Sequence, residues 1–337
     1  MAAAGWDRGV SLPSSDEVVV VIVNFDSGGL LRLCLAAVAQ QTYPAFRVIV
    51  VDNDSMDDSL DGIHEAYPDV QIVHMPENVG FAGGCNAGIE AAGTCKWIAC
   101  LNPDAFPEPG WLAGLMAAAG RHPDCAAFGS QLVMAEDPSL LDGTGDVYHV
   151  SGLAWRRDYG RPIKRGVGEG DEIFAPCAAA ALYRHDALAD VGGFDTSYFC
   201  YFEDVDLGFR LRLRGYRSRY APESRALHVG SAITGFRSDF SVYHGHRNMV
   251  WTYFKNMPMP LLWLYLPQHI LANVLTVLRY SLRGQAGAIL KAKWHALKAL
   301  PAVLRARKET QAKRKVSARD VWRYMNRGLL APYWKKG

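Results

Sequence analysis

The sequence contains no Cys-X-X-Cys pair, and its seven cysteines are an odd number that lies mostly in apolar stretches. This usage argues against a zinc site or a disulfide framework and favours reduced thiols in a cytoplasmic protein. Residues 1–16 also lack a basic stretch followed by an apolar one. We therefore expect a flexible N-terminus and no secretory signal.

Two common nucleotide-binding motifs are missing as well. Residues 78–88 form a glycine-rich stretch that opens into a predicted helix, and such a loop lets the backbone approach a phosphate or a sugar closely. No Gly-Lys-Ser/Thr follows it, and no Gly-X-Gly-X-X-Gly follows the first predicted strand. The absence of these motifs argues against a P-loop enzyme and against a dinucleotide-binding Rossmann domain.

Acidic residues are scarce near the C-terminus, where residues 279–337 carry 16 Lys and Arg but only 2 Asp and Glu. The whole chain has a net charge of +2, so the remainder is acidic. We predict that 257–337 is an apolar and basic helical region that associates with an anionic membrane surface. The alternative is a helical subdomain that packs on the rest of the chain or forms a homodimer. No nucleic-acid-binding motif is present.

Four apolar, β-branched runs alternate with helical patterns in the first third of the chain. This βαβαβαβ order predicts a mostly parallel, doubly wound α/β sheet. In such sheets, ligands gather beyond the carboxyl ends of the strands. The predicted strands are 17–24, 46–51, 70–74 and 97–101.

Polar clusters follow three of these strands, at 24–27, 52–55 and 102–104. Asp52 could accept a hydrogen bond from a pyrimidine ring or hold a ribose hydroxyl, and Asp104 suits a hard cation such as Mg²⁺ or Mn²⁺. Each cluster is also an ordinary turn sequence. Their joint position at one edge of the sheet predicts a binding site there.

Glu203 and Asp204 are adjacent carboxylates at the start of a predicted helix whose apolar face is formed by Val205, Phe209 and Leu213. Two acids at the start of a packed helix are costly unless something uses the negative charge. A metal, a sugar hydroxyl awaiting deprotonation or a basic ligand would do so. The alternative is that both acids only complement the helix dipole.

Two further segments have open roles. His228 ends an apolar patch, where it is either a structural histidine or a metal ligand. Residues 156–170 are basic and rich in glycine, which predicts a mobile loop that is either solvated or closes over a diphosphate. The cations of this loop that could close over a diphosphate are Arg156, Arg157, Lys164 and Arg165.

Six motifs occur in a fixed order over residues 18–231: VIVNFDS, VVDNDS, NVGFAGGCNAG, LNPDAF, GGFDTSYFCYFEDVDLGFRLRLRGY and ALHVGS. Together they resemble the family 2 glycosyltransferases, and they are most similar to the rhamnosyltransferase-like branch that builds bacterial surface polysaccharides. The resemblance implies a GT-A fold over residues 17–256, an inverting mechanism, a nucleotide-sugar donor and a divalent cation, Mg²⁺ or Mn²⁺.

The resemblance also implies roles for individual residues. Asp204 matches the catalytic base, beside Glu203, while Asp104 and His228 match metal ligands. Asn102 takes the place of the first aspartate in the usual Asp-X-Asp motif and brings no charge. The residues expected at the nucleotide sugar are Asn24, Asp26, Asp52, Asn53, Asp54, Asn78, Gly80, Phe81, Gly84, Asn86, Asn102 and Asp104.

For the donor, the resemblance implies dTDP-rhamnose first and UDP-sugars next. For the acceptor, it implies a glycan on a polyprenyl diphosphate at the cytoplasmic face of the inner membrane. A sugar nucleotidyltransferase is a second enzyme hypothesis, but NFDSGGLL after the first strand lacks the basic residue that such an enzyme needs. A degenerate, membrane-tethered scaffold that binds nucleotide sugars is the non-enzyme hypothesis.

Overall fold

The structure is a computed structural model that describes residues 17–163, 171–230, 238–329 and 331. The predictions for the N-terminus, for Lys164 and for Arg165 lie outside the described residues.

The first third of the described chain alternates strands and helices as predicted. Its strands pair in parallel in the order β3-β2-β1-β4, so the sheet order reverses between β1 and β4. The polar ends of these strands therefore lie at a switch point of an α/β sheet, where ligands commonly bind. The elements are β1 (Val18–Asn24), α1 (Leu30–Ala39), β2 (Phe46–Asp52), α2 (Ile63–Ala66), β3 (Gln71–His74), α3 (Gly80–Ala91) and β4 (Trp97–Leu101).

The middle of the chain extends the same sheet. The next elements are β5 (Ala105–Pro107), α4 (Trp111–Arg121), β6 (Cys125–Met134), β7 (Leu141–Gly143), β8 (Asp146–Tyr148), β9 (Ala154–Arg156), β10 (Ala180–Arg184), α5 (His185–Val191), α6 (Glu203–Leu213) and β11 (Arg217–His228). The sheet continues as β4-β10-β6-β11-β5, with β7 beside β6, while β8 and β9 form a separate hairpin. β10 is antiparallel to both of its neighbours. The predicted α/β sheet is confirmed, but the hydrophobic pattern carried no information on strand direction.

Side chains of β1 alternate between two apolar clusters, one on each face of the sheet. Val20 and Ile22 pack with Leu31 and Leu35 of α1 on one face. Val21 packs on the other face, in the cluster that contains residues of α3. Because both faces are covered, the sheet is a rigid base for the loops at its edge.

Within the described residues after β11 the chain forms five helices, and the last four of them lie in the region 257–337 that was predicted to be helical. They are α7 (Asp239–Asn256), α8 (Met259–Ser281), α9 (Ala286–Lys298), α10 (Leu300–Ala312) and α11 (Ala318–Trp322). α7 packs against α6, α9 and α10. The backbone of Asn326 then bonds to Tyr148 and Val150, so the chain returns to β8. By length and composition, α8 could cross a membrane.

Candidate functional site

A cavity of about 780 Å³ opens at the carboxyl ends of β1, β2 and β4, where the sequence predicted a site. Its walls also include the start of α6 and the end of β11, which are distant in the sequence. The predicted site residues that line it are Asn53, Asn78, Gly80, Phe81, Asn102, Asp104, Glu203, Asp204 and His228. The fold therefore brings the strand-end cluster and the helix-start acids into one cleft.

One wall of the cavity is fixed by hydrogen bonds between two loops. Nδ2 of Asn53 donates to Oδ1 of Asn78 over 2.9 Å, and Oδ1 of Asn53 accepts from the backbone N–H of Val79 over 3.0 Å. Oδ1 of Asn78 also accepts from the N–H of Gly80 over 2.9 Å. The loop after β2 and the start of α3 are thus held together beside the cleft.

Four predicted residues do not line the cavity: Asn24 and Asp52 end β1 and β2, and Asp26 and Asp54 lie in the loops that follow these strands. The buried amide of Asn24 donates to Ser59 over 2.8 Å, and a carboxylate oxygen of Asp52 lies 3.1 Å from Nδ1 of His74. The first bond joins the end of β1 to the loop after β2, and the second joins the ends of β2 and β3. The bond from the N–H of Ser55 to Asp52, over 3.3 Å, is a local turn bond. The role of the four residues toward a nucleotide stays a prediction.

Gly84 and Asn86 are outside the cavity altogether. A Cβ at Gly84 would lie 2.6 Å from Cγ1 of Val23, so glycine is needed there for α3 to approach the sheet. The amide of Asn86 donates to the carbonyl of Phe194 over 2.8 Å and accepts from its N–H over 2.9 Å. Both residues have structural contacts that account for them, and the structure does not bring them to the site.

Glu203 and Asp204 begin α6 at the inner end of the cavity. Asp204 accepts from the N–H of Val205 over 2.7 Å and from the N–H of Ala178 over 3.4 Å. Burial raises the pKa of Asp204, although these donors oppose the shift. Burial and then the charge of Asp204 raise the pKa of Glu203 well above its usual value. Ionisation of both carboxyl groups at once is therefore disfavoured, and the pair favours a state with fewer than two negative charges.

The cavity also contains Asp146, which sequence reasoning did not assign to the site, and Arg156, which the sequence offered as one of four cations that could close over a diphosphate. Burial and then the charge of Asp204 raise the pKa of Asp146, and Arg156 opposes that shift. Arg156 lies in β9 and donates to Asp142 over 2.6 Å, so the prediction of a mobile loop from residue 156 onward is wrong at that residue. In the sequence, the stretch Asp-Gly-Thr-Gly-Asp at 142–146 is the signal that could have identified Asp146 as a site residue.

His228 and Asp104 face each other at the cavity, and both are buried. Nδ1 of His228 bonds to a carboxylate oxygen of Asp142 over 2.7 Å. Its Nε2 lies 3.4 Å from Oδ1 of Asp104 without hydrogen-bond geometry. Burial opposes the charged imidazole, but the two carboxylates outweigh it and raise the pKa of His228.

This arrangement suits a divalent cation. A carboxylate that fixes the Nδ1 proton leaves Nε2 of the imidazole as a ligand, which is the usual outer support of a metal-binding histidine. Within residues 17–163, 171–230 and 238–329, no three His, Cys, Asp or Glu side chains converge as a complete metal cage. A cation held by Asp104 and His228 would therefore take its other ligands from a substrate such as a diphosphate, as Mg²⁺ commonly does.

Three buried polar atoms of the cavity have no hydrogen-bond partner within the described part of the chain. They are Oδ1 of Asn102, Oε2 of Glu203 and Nε2 of His228. Leaving one such atom unpaired costs about 1–3 kcal/mol, and native proteins rarely do so without a reason. Their convergence on one cleft indicates a polar ligand that completes their bonding.

The segment before Glu203 is strained. Phe199, Tyr201 and Phe202 have positive φ angles of 64°, 67° and 70°. Such conformations cost about 1–3 kcal/mol each and persist only where the surroundings impose them. Here the buried amide of Asn248 in α7 donates to three carbonyl oxygens at positions 198–201, over 2.7–3.0 Å. No local pattern in the sequence indicates this support.

Gly80→Ala is expected to destabilise the protein by more than about 3 kcal/mol. Gly80 has a φ of +75°, which costs an L-residue about 1–2 kcal/mol, and an added Cβ would overlap the backbone carbonyl of Phe199. The matched control is Gly160→Ala, where φ is +73° and no atom lies within 4 Å of the added Cβ. Chemical denaturation of both variants measures how much of the loss in unfolding free energy comes from the overlap. Equal losses in the two variants would contradict a role for the overlap.

The profile of the family described as "Glycosyl transferase family 2" matches residues 19–192. An N-acetylglucosaminyl-diphospho-decaprenol L-rhamnosyltransferase of Mycobacterium tuberculosis H37Rv is 31% identical over 248 residues, which cover 66% of this chain and 78% of that protein. Among solved structures, a mannosyltransferase of Pyrobaculum calidifontis with GDP-Man and Mn²⁺ is 17% identical, with a TM-score of 0.52 over 91% of both chains.

A second solved structure, GalNAc-T7 with UDP, GalNAc and Mn²⁺, is 15% identical, with a TM-score of 0.58 over 71% of this chain and 48% of that chain. These likenesses bear out the predicted GT-A fold. The profile match spans more than half of the chain, and the rhamnosyltransferase adds close sequence similarity. The chain therefore belongs to glycosyl transferase family 2 and is a glycosyltransferase.

Proposed function

We propose that the protein transfers a sugar from a nucleoside diphosphate to a hydroxyl of a glycan acceptor, with inversion at the anomeric carbon. The observation that carries this proposal is the convergence of Asp104, His228, Glu203 and Asp204 on one cavity with three unpaired polar atoms. A donor diphosphate would lie near Asp104 and His228, and an acceptor hydroxyl would lie near Glu203 and Asp204. Together they would use all of these groups.

Asp204 is proposed as the general base. It takes the proton of the acceptor hydroxyl while that oxygen attacks the anomeric carbon from the face opposite the diphosphate. Burial raises the pKa of Asp204, which makes its carboxylate a stronger base than an exposed aspartate. Glu203 lies beside it with an unpaired Oε2, which suits a hydrogen bond from the acceptor. Arg156 keeps part of the negative charge balanced.

Asp104 and His228 are proposed to hold Mg²⁺ or Mn²⁺. When bound there, the cation would neutralise charge on the departing nucleoside diphosphate. Asp142 holds the ring of His228 in the tautomer that presents Nε2. The wall formed by Asn53 and Asn78 would position the nucleotide, with Asp52 behind it as the proposed partner of the pyrimidine ring.

The proposed donor is dTDP-rhamnose, with UDP-sugars as the second choice, and the proposed acceptor is a glycan on a polyprenyl diphosphate. The name of the relative from M. tuberculosis, a rhamnosyltransferase that acts on a decaprenyl-linked N-acetylglucosamine, supports the choice of acceptor and agrees with rhamnose as the sugar. The nucleotide of the donor rests on the resemblance of the motifs alone. Such acceptors are anchored in a bilayer, so the protein would work at the cytoplasmic face of the inner membrane.

The full chain with Mn²⁺ is expected to release nucleoside diphosphate from one member of a nucleotide-sugar panel, and EDTA should abolish the release. Asp104→Asn should lose the Mn²⁺-dependent rise in melting temperature with nucleoside diphosphate, because it removes the charged ligand. Asp137→Asn, at an exposed turn between β6 and β7, is the control. Turnover insensitive to EDTA would contradict the metal assignment, and no turnover with any donor would contradict the function.

A further inference from the structure

One face of α8 is both apolar and exposed. Its large side chains recur at three- and four-residue intervals, so they form a single stripe along the helix. The stripe consists of Trp263, Leu264, Ile270, Leu271, Val274, Leu275 and Leu278, which are 38–66% exposed, and Leu282 just past the helix, which is 89% exposed. Soluble monomers rarely leave so many large apolar side chains together in water.

The stripe continues onto the next two helices. Leu290, Trp294 and Leu297 of α9 are 54–66% exposed and repeat with helical spacing, and Leu304 of α10 is 41% exposed. α9 packs directly against α8. We name this set of residues, from 263 to 304, the α8–α9 apolar face.

The charged residues of the segment that forms this face are all positive. Between Asp239 and Glu309 the sequence has no acidic residue. Five exposed cations each directly follow an exposed leucine of the face: Arg279, Arg283, Lys291, Lys298 and Arg305. A regular alternation of embedded apolar groups and cations is what an interfacial helix presents to anionic lipid.

We propose that the α8–α9 apolar face docks the protein onto an anionic lipid bilayer, with α8 and α9 lying in the plane of the interface. The leucines and the two tryptophans enter the boundary between headgroups and acyl chains, and the cations contact lipid phosphates. This inference deepens the proposed function, because a polyprenyl-linked acceptor is reached from such a surface, but its test requires no acceptor.

The inner face of α8 explains why the helix lies on the bilayer and does not span it. Leu261 and Leu262 are buried in the protein, and Nδ1 of His269 donates to the carbonyl of Ser151 over 2.8 Å. The ring of His269 stacks on Tyr253, with centroids 3.9 Å apart. A spanning helix would have to break these contacts and leave the imidazole in lipid, which is costly.

The charge pattern also argues against a second copy of the chain as the occupant. In a symmetric dimer, each protomer offers the same patch to the other. The cations that border the face would then approach cations, and no acidic residue between 240 and 308 could pair with them. Like charges juxtaposed at an interface are destabilising, whereas anionic headgroups relieve them.

The test is sedimentation of the full chain with phosphatidylglycerol/phosphatidylcholine vesicles, and with phosphatidylcholine alone. The wild type should bind the anionic vesicles. The triple variant Trp263→Gln, Leu271→Gln, Leu278→Gln should partition at least about tenfold more weakly, since three exposed apolar anchors are lost. The variant Arg283→Gln, Lys291→Gln, Lys298→Gln should lose about ten- to a hundredfold on anionic vesicles only, and less at high salt.

The matched control is Leu33→Gln, Met56→Gln, which replaces exposed apolar residues on another surface, 58% and 87% exposed. It should bind vesicles like the wild type. Equal binding by the wild type and the Trp263/Leu271/Leu278 variant would overturn the proposal. Wild-type protein that stays on the vesicles in alkaline carbonate would also overturn it, because such resistance indicates a spanning helix. If the wild type formed a dimer and did not bind vesicles, and the Trp263/Leu271/Leu278 variant lost that dimer, the face would dock a second copy of the chain instead. The donor-release assay uses no membrane, so it separates failure here from failure of the proposed function.

Discussion

Asp204→Asn is expected to lower sugar transfer by about 10²–10⁴-fold, the range that a positioned general base contributes. The amide keeps the shape of the side chain but cannot accept the proton of the acceptor hydroxyl. Nucleotide affinity should remain that of the wild type, because the proposed cation ligands Asp104 and His228 are unchanged. Single-turnover transfer and calorimetric titration with nucleoside diphosphate measure the two effects separately.

Unfolding would not account for this loss. Folding raises the pKa of Asp204 above the ordinary value of 3.8, so its ionised form costs stability at neutral pH. Asn removes that cost, and the variant should melt at or above the wild-type temperature. Asp186→Asn is the matched control, because Asp186 is also a first-turn aspartate but is exposed in α5. If the acids served only the helix dipole, both variants would retain turnover and lose about 0.3–1 kcal/mol of stability.

The pH profile gives the same assignment an independent readout. A base must be deprotonated to act, so kcat/KM should fall as the pH is lowered through the pKa of Asp204. Since that pKa is raised, the acid limb should lie above the 3.8 of an exposed aspartate. An acid limb at or below 3.8, in protein that circular dichroism shows to be folded, would contradict Asp204 as the base.

The parts of the site that were predictable are those that follow directly from the chain. A β-branched apolar run of the length of 18–24 is typical of a buried strand, and the polar residue that ends it then lies at the sheet edge. The same reasoning located Asn53 and Asp104. The acids of α6 were visible because an apolar helical repeat directly follows them, and the structure places that repeat in the core.

The parts that were missed depend on contacts between distant residues. Asp142 and Asp146 lie in strands of only three residues, which are too short to show a period. The support of the strained segment by Asn248 joins positions about fifty residues apart and has no local signature. Asn86 was predicted at the ligand because it shares a motif with Gly80, yet α3 turns its side chain toward Phe194.

Helix α6 carries a third acid, Asp206, whose role is structural. Asp206 is fully buried and bonds to Nε of Arg210 over 2.7 Å and to Nζ of Lys255 over 2.5 Å. Tyr198 and Asn256 donate to the same carboxylate. Burial opposes its ionisation, but the charges of Arg210 and Lys255 outweigh burial and hold the pKa at about 2. This network fixes the position of α6, and hence of Asp204, against α7.

Asp206→Ala is therefore expected to destabilise the protein by about 3–5 kcal/mol, because the buried Arg210 loses its carboxylate partner and Lys255 keeps only its pair with Asp195. Asp190→Ala, which breaks the more exposed pair with Arg214 at the other end of the helix, should cost only about 0–1 kcal/mol. Denaturant titration of both variants measures the difference, and similar losses would show that the network around Asp206 is not a major source of stability.

The pH dependence of this loss has a definite sign. The folded pKa of Asp206 is depressed, so its stabilising contribution is complete above the unfolded value near 3.8 and disappears as the pH falls toward 2. The gap in unfolding free energy between wild type and Asp206→Ala should thus be constant near neutrality and narrow only below about pH 4. A gap that narrowed between pH 8 and pH 5 would implicate a group other than this carboxylate.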